Sequence, residues 1–464
     1  PALALRAGSE HAVGEKWSSP WPAVICLSVA LLFTQLPPIF ELPVFGYLAI
    51  ALLLIGGIAL MPRFTASFFS FLTDRLHRFE TGAVSALVLA RLANAPRQAA
   101  IALGGILASF SLMVAMAIMV MSFRVSIDHW LGQVLPADLY VRVATTGDQG
   151  GFRVEEQKAI AGLAGFERVE FFRTQQLTLD ARRPDITLLA RPIDSDDPRK
   201  TLPLTDDVIT PGALPEGSKP IWVSEAMVDL YGYRVGEKVV FPVGASFHEF
   251  VVAGIWRDYG RQFGAVQMQL ADYQRLTEDL SINTVALWLQ DGMTPDTAIE
   301  HMRRLSFGSA LEISRSSDMR ALSLKIFDRS FAVTYVLETV AVIIGLLGVG
   351  ASFSAQTLAR AKEFGMLRHV GMTRRQILAM LAAEGGLLTA LGIALGFVLG
   401  WGISLILIFI VNPQSFHWTM QLYLPWPWLM SVALIMLVSA ALTALLAGRQ
   451  AVSAHVIRAV KEDW

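Results

Sequence analysis

Six long apolar stretches constrain this chain more than any motif: residues 21–40, 43–61, 99–121, 331–353, 377–411 and 426–447. A hydrocarbon core ~30 Å thick takes about 20 apolar residues per helix, and each stretch comes close to that length or exceeds it. With 54% of residues hydrophobic and 17% charged, the composition is too apolar for a soluble protein of this length. The expectation is an α-helical membrane protein with six transmembrane helices. Residues 21–40 form the weakest span, because Gln35 and the Pro37-Pro38 pair cut it short. Residues 377–411 overrun one crossing, so their first turns belong in the cytosol or the interface.

Charge in the short connections orients the spans. Residues 62–98 carry Arg63, Arg75, Arg78, Arg91 and Arg97 against Asp74 and Glu80, and residues 354–376 carry Arg360, Lys362, Arg368, Arg374 and Arg375 against Glu363 alone. Basic short loops stay on the cytoplasmic side. Both segments are therefore expected there, the first as a loop, together with the two ends at 1–20 and 448–464. The connections near 37–43 and 412–425 are nearly free of basic residues, and Trp418, Tyr423 and Trp426 make the second resemble an outer aromatic belt. Residues 122–330 then fall outside, between the third and fourth spans.

That outer segment reads as a large periplasmic α/β domain. Strand-like alternation marks 138–143, 176–180, 186–190, 238–241, 250–255 and 283–290, and helical periodicity marks 154–163, 224–230 and 295–305, with Ser224 as an N-cap. The stretch 191–220 is rich in proline and aspartate and reads as an excursion between two subdomains. The expected division is a βαβ-like part, from 138–193 with 283–316, and a β-rich lobe at about 221–280. Cys26 is the only cysteine and lies in a predicted span, so this domain must be held by its own core rather than by disulfides.

Catalytic chemistry has little foothold. The pattern G-x-x-x-x-G-K-[ST] is absent, the eight histidines are scattered, and His248-Glu249 does not extend to H-E-x-x-H. No cofactor, metal or enzymatic activity is expected of this chain, and nucleotide hydrolysis must belong to another polypeptide. A net charge of −1 in a membrane setting argues against nucleic acid as a partner. The opening Pro1-Ala2-Leu3-Ala4-Leu5-Arg6-Ala7 echoes Ala454-His455-Val456-Ile457-Arg458-Ala459 near the close. The echo hints at a first repeat ahead of Pro1.

The run Glu363-Phe364-Gly365-Met366-Leu367-Arg368-His369-Val370-Gly371-Met372-Thr373-Arg374-Arg375-Gln376-Ile377, followed by Glu384-Gly385 and small residues at every fourth position, resembles the permease region of the FtsX/MacB/LolCE family, the type VII ABC transporters. Arg91-Leu92-Ala93-Asn94-Ala95-Pro96-Arg97-Gln98 before an apolar span carries the same resemblance, as does Ser224 to Leu230 with Val235-Gly236-Glu237. It covers roughly residue 87 to the C-terminus. The two spans ahead of that unit look like the linking helices of ten-helix, YbbP-like or bacitracin-resistance members, which makes this chain similar to their second half. The resemblance implies a permease subunit in the bacterial inner membrane, with both termini of this chain cytoplasmic. A cytoplasmic ABC ATPase dimer holding ATP and Mg would be its partner, together with a missing N-terminal repeat or second permease copy, the lipid bilayer and a periplasmic protein.

The residues themselves offer a coupling element. If 358–370 is helical, Phe364, Leu367 and Val370/Gly371 share one side, with Lys362, Glu363 and Arg368 elsewhere on the surface. Gly365 costs about 1 kcal/mol relative to Ala inside a helix, which a closely approaching partner backbone would offset. The alternative is a basic helix lying on the membrane. Thr373 and Gln376 form a capping-box signature, so the next helix should start at Arg374. Gly392, Gly396 and Gly400 form a stripe for close helix packing, either within the chain or in a dimer. Two carboxylates fall in apolar spans: Glu384 is expected at the interface facing Arg374 or Arg375, and Glu338 is expected to reach the outer interface. A proton path through the pair is the alternative.

The function expected from these features is export or extraction of lipids, lipoproteins or other hydrophobic compounds, with ATP-driven motion passed through the stalks at 122–125 and 326–330. Two other readings remain open. One is an FtsX-like regulator of a periplasmic cell-wall hydrolase, the other a permease for antimicrobial-peptide resistance or sensing.

Overall fold

The computed structural model describes residues 20–451 except 41, 77–82, 95, 144–150, 195, 211, 213, 215 and 216. Two compact units emerge. A helical unit takes in the described residues up to Ser122, Phe331–Gln414 and those from Leu422 onward; a sheet-based unit takes in Phe123–Ser330 and Ser415–Gln421.

The helical unit opens with α1 (Trp21–Phe33), α2 (Val44–Leu76), α3 (Ala83–Asn94) and α4 (Pro96–Val134), the last of which runs on into the other unit. Among the described residues five helices, not six, are long and apolar enough to cross a membrane. The exception is α1, whose 13 residues span only ~20 Å at 1.5 Å per residue; it stops just before Gln35 and the paired prolines. The basic segment 62–98 is also corrected, from a loop to mostly helix. α2 continues through Pro62 to Leu76, steadied by a stack of Phe64 on Phe68 and an edge contact of Phe68 with the buried Phe69. The Thr65 hydroxyl donates to the Met61 carbonyl at 2.8 Å, beside the position where Pro62 lacks an N–H.

The sheet-based unit contains β1 (Leu139–Val143), α5 (Val154–Ala161), β2 (Phe166–Leu177), β3 (Ile186–Arg191), β4 (Leu204–Val208), β5 (Pro220–Ser224), α6 (Glu225–Tyr231), β6 (Lys238–Val243), β7 (Ser246–Trp256), β8 (Ala265–Gln269), α7 (Leu270–Thr277), β9 (Thr284–Leu289), α8 (Pro295–Arg303), β10 (Leu311–Arg315) and α9 (Ser316–Ser330). One sheet joins its ten strands in the order β10-β1-β9-β2-β3-β8-β5-β7-β4, with β6 on β7. β1 and β2 both run antiparallel to β9 between them, and β10 antiparallel to β1. Thus β1-α5-β2 and β9-α8-β10 are two interleaved split βαβ units. Leu139, Val141, Ile160, Val285, Leu287, Ala298 and Met302 fill the core between that half-sheet and its helices.

The other lobe is inserted between β2 and β9. Its core is Ile186, Leu188, Ile221, Val223, Met227, Phe241, Phe250, Val252, Val266 and Met268. It therefore begins at β3 rather than near residue 221. The turn-rich stretch 191–220 supplies β4 and lays Ile193 and Leu202 against Trp222 and Trp256. Of the strand expected at 176–180, only Gln176 and Leu177 are strand, as the end of the twelve-residue β2; residues 178–180 lie beyond it. Ser224 does occupy the N-cap position of α6, but its hydroxyl accepts from the Ala265 N–H on β8 at 2.9 Å instead of capping the helix.

The chain returns to the helical unit through α10 (Ala332–Ala359), α11 (Ala361–His369) and α12 (Arg374–Ile406), continues through a π-helical turn at Leu407–Val411 and α13 (Asn412–Phe416), and ends in α14 (Trp426–Ala451).

Candidate coupling site

α10 and α11 are separated only at Arg360, and the reason lies in its guanidinium. Arg360 donates through Nη1 to both oxygens of Glu384 on α12, at 2.9 and 3.2 Å, and through Nε to Glu363 Oε2 at 3.2 Å. Arg91 on α3 completes the group, reaching Glu363 at 2.8 Å and Glu384 at 3.2 Å. The Arg360 and Glu384 side chains are only 7% and 10% exposed, a depth at which either charge alone would be costly. Four side chains thus tie α3, the α10–α11 junction and α12 together. This corrects the expectation that Glu384 faces Arg374 or Arg375; Arg374 instead reaches the Arg449 carbonyl at 3.5 Å.

α11 projects from this group with a defined inside and outside. Phe364 is 1% exposed and lies beneath the Arg360 guanidinium, 5.0 Å from ring to cation. Leu367 is half-buried, while Met366 and Val370 are 64% and 85% exposed. The expected stripe of Phe364, Leu367 and Val370 is therefore split: its first member packs inward and its last faces out beside Met366. Glu363, Arg368 and His369 are exposed, and a Cβ on Gly365 would meet nothing within 4 Å. Gly371, at φ 105°, terminates the helix. Its N–H bonds the Arg368 carbonyl and that of Met372 bonds Leu367, a Schellman arrangement that needs the left-handed glycine. Two residues later Thr373 and Gln376 form a reciprocal capping box, and α12 starts at Arg374 as their spacing predicts.

The glycine stripe of α12 meets α4 of the same chain. A Cβ on Gly392 would stand 2.8 Å from Ile106, one on Gly396 3.0 Å from Phe110, and one on Gly400 2.5 Å from the Ser111 carbonyl oxygen. This is intrachain packing, with backbone approach closest at Gly400. Glu338 on α10 is buried and accepts from Trp428 Nε1 on α14 at 3.0 Å, so its partner is an indole N–H.

The sheet-based unit contains two further arrangements that the sequence did not disclose. Where α4 ends and α9 closes the domain, Arg124 pairs with Asp328 at 3.1 Å, Arg320 with Asp128 at 2.7 Å, and Phe123 packs on Phe327 at 4.3 Å. These contacts join the two expected stalks. The connection between α13 and α14 is also built into this unit: Thr419 gives both its N–H and its hydroxyl to Glu225, at 3.0 and 2.7 Å, and its carbonyl accepts from Tyr259. His417 pairs with Asp229, and Trp418 is buried between Phe123 and Tyr259 rather than standing in an exposed belt.

Residues 335–456, which hold α11 and its ion-pair group except for Arg91, match the family model of the FtsX-like permease C-terminal region. An uncharacterized ABC transporter permease protein of Mycobacterium tuberculosis is 28% identical over 335 residues. The C-terminal quarter of the chain is thus similar to the FtsX-like permease C-terminal region. The match takes in 70% of this chain but 38% of the mycobacterial protein, so the chain spans well under half of the curated relative it matches. Among solved structures, the periplasmic region of MacB from Actinobacillus actinomycetemcomitans is similar with a TM-score of 0.31 and 10% identity, over 41% of this chain and 94% of that chain. The extracellular domain of YknZ from Gram-positive bacteria gives 0.28 and 15%, over 39% and 99%.

Proposed function

We propose that this permease couples ATP hydrolysis by a separate cytoplasmic ABC ATPase dimer, which binds the ATP and Mg, to movement of its periplasmic α/β domain. The observation that carries the proposal is α11 itself. It is a short helix with exposed Met366 and Val370, locked to α12 by the Arg360–Glu384 pair, in the region that matches the FtsX-like module. Force applied at its outer face would reach α12 through charge-assisted hydrogen bonds, which are roughly twice as strong as neutral ones. Placement of α11 in the cytoplasm rests on the arginine-rich segments 62–98 and 354–376. Phe364 supports the helix from within, and docking falls to Met366, Val370, Arg368 and the open side of Gly365.

Lipids, lipoproteins or other hydrophobic compounds are the cargo class, moved on the periplasmic side by the domain and its paired stalks. The exposed apolar face of α10, including Val336, Leu337, Val340, Ile343, Ile344 and Leu347, is available to lipid or to another permease repeat. The test is co-purification of the intact permease with its ATPase, comparing wild type with Met366→Asp/Val370→Asp. Loss of the ATPase at unchanged membrane insertion is the expected result. Full retention with normal coupled hydrolysis would remove α11 as the docking element.

A further inference from the structure

Strand β6 has a strand neighbour on one side only. Among the described residues it pairs with β7 alone, with Val243 opposite Ser246 across the turn at Gly244 and Ala245, and Lys238 opposite Val251. Backbone groups along an antiparallel strand point alternately to its two edges. The Glu237 carbonyl accepts from the Val252 N–H at 3.0 Å and so faces β7, which turns the backbone groups of Lys238, Val240 and Pro242 to the open edge. Lysine and proline blunt an edge strand, so Lys238 and Pro242 protect the ends of β6 and leave its middle, at Val240, open.

Val240 and Pro242 line a groove of about 430 Å³ whose other wall is the turn between β2 and β3 and the end of α6, within the range of roughly 300–1,000 Å³ typical of ligand sites. Part of that wall is aromatic: Tyr231 stacks on Tyr233 at 5.8 Å, and Tyr233 meets the buried Phe241 edge-on at 5.7 Å. Phe247, opposite Pro242 in the hairpin, also lines the groove and is 75% exposed, and Val240 is 57% exposed. Large apolar side chains standing in solvent beside open backbone groups are a combination that edge strands ordinarily avoid. The charged residues of the groove are already engaged. Asp180 accepts two bonds from the Arg182 guanidinium, each 3.1 Å, and Arg183 donates to the Leu230 carbonyl and lies over the Tyr231 ring. On the hairpin, Lys238 pairs with Glu249 at 2.6 Å. The occupant that complements this surface electrostatically is therefore uncharged. An open strand edge further calls for backbone donors and acceptors, which an acyl chain lacks.

We propose that an extended polypeptide segment, with uncharged apolar side chains at alternate positions, adds to β6 as a further strand and lodges those side chains against Tyr231, Tyr233 and Phe247. In this mode main-chain hydrogen bonds supply affinity and pockets for alternate side chains supply selectivity. The inference goes beyond ATPase coupling and does not depend on it.

The intact protein in lipid nanodiscs would be incubated with a library of acetylated, amidated hexapeptides that alternate threonine with valine, leucine, phenylalanine or tyrosine. Retained peptides are read by mass spectrometry and their affinities by fluorescence anisotropy. Val240→Pro removes the outward N–H at an edge position, where proline is tolerated. Phe247→Glu, at an exposed site that leaves the backbone untouched, places a charge in the groove. Retention of a subset of peptides, weakened roughly fivefold or more by each variant and by N-methylation of alternate peptide residues, supports the proposal. Equal affinity for the N-methylated forms would reduce the site to apolar capture and overturn strand addition. Absence of any retained peptide, or affinity unchanged in both variants, overturns it as well. In a Cys26→Ser background, disulfide-linked dimers through Val240→Cys without peptide retention would assign the edge to a second copy of the chain instead.

Discussion

Replacing Glu384 by Leu should destabilise the protein far more than replacing Glu384 and Arg360 together. The single change leaves the Arg360 guanidinium buried, with Nη2 already lacking a partner and only the Glu363 bond at 3.2 Å remaining. Breaking a buried pair from one side costs about 3–5 kcal/mol. Because Glu363 is half exposed and stays in place, the lower end, about 3 kcal/mol, applies here. Arg360→Met alone should cost less, since Arg91 remains 3.2 Å from Glu384. The double variant removes both charges and fills the site with apolar groups, so it should lie within about 1 kcal/mol of wild type or be more stable. SDS-induced unfolding in mixed micelles, followed by tryptophan fluorescence, would give the four free energies of the cycle. A double variant as unstable as the sum of the singles would refute the reasoning, because the two residues would then not act as a buried pair.

Gly400→Leu should destabilise by roughly 1–3 kcal/mol or more through overpacking against Ser111 and Val114. Gly386→Ala, which meets nothing within 4 Å, should be neutral or stabilise by up to about 1 kcal/mol; thermal melts of the two variants check both. Glu225→Ala should free the segment 417–421 from the sheet-based unit, read as faster hydrogen exchange at Thr419. Burial pushes the Tyr259 phenol up to about 12. A raised folded value means its contribution is complete below the unfolded value near 10 and is lost as pH rises through about 12. Tyr259→Phe should therefore delete one late-ionising tyrosine from an alkaline absorbance titration, and loss of an early one would contradict the burial.

The features readable in the sequence were those set by local chemistry. Hydropathy marked six spans, five of which are long enough to cross a membrane among the described residues, the Thr373–Gln376 spacing placed the start of α12, and the glycine period announced close packing. What each group meets was not readable, because the partners are distant in the chain. Arg91 is 272 residues from Glu363, and nothing local distinguishes Arg360 from Arg374 as the cation for Glu384. The need for some polar partner was legible, since a carboxylate buried in an apolar helix is costly without one; Glu384 meets it with arginine and Glu338 with the Trp428 indole. The inward turn of Phe364 depends on the break at Arg360, which periodicity through 358–370 passes over. β2 was cut short because Arg168, Glu170 and Arg173 interrupt its alternation, yet Glu170 is buried beside Arg168 and Arg191, and Arg173 pairs with Asp279. The short strands β5 and β8 were missed for a similar reason, being buried on both faces and therefore lacking a polar alternate.

The central claim is that the outer face of α11 receives the ATPase. In a Cys26→Ser background, single cysteines at Val370, Met366 and Phe364 would be cross-linked in intact membranes with a short bifunctional thiol–amine reagent. Covalent adducts would then be identified by mass spectrometry. The account predicts an ABC ATPase adduct from Val370→Cys and Met366→Cys and none from the buried Phe364→Cys. With the ATPase present and active, failure of both outer positions to capture it would contradict the account.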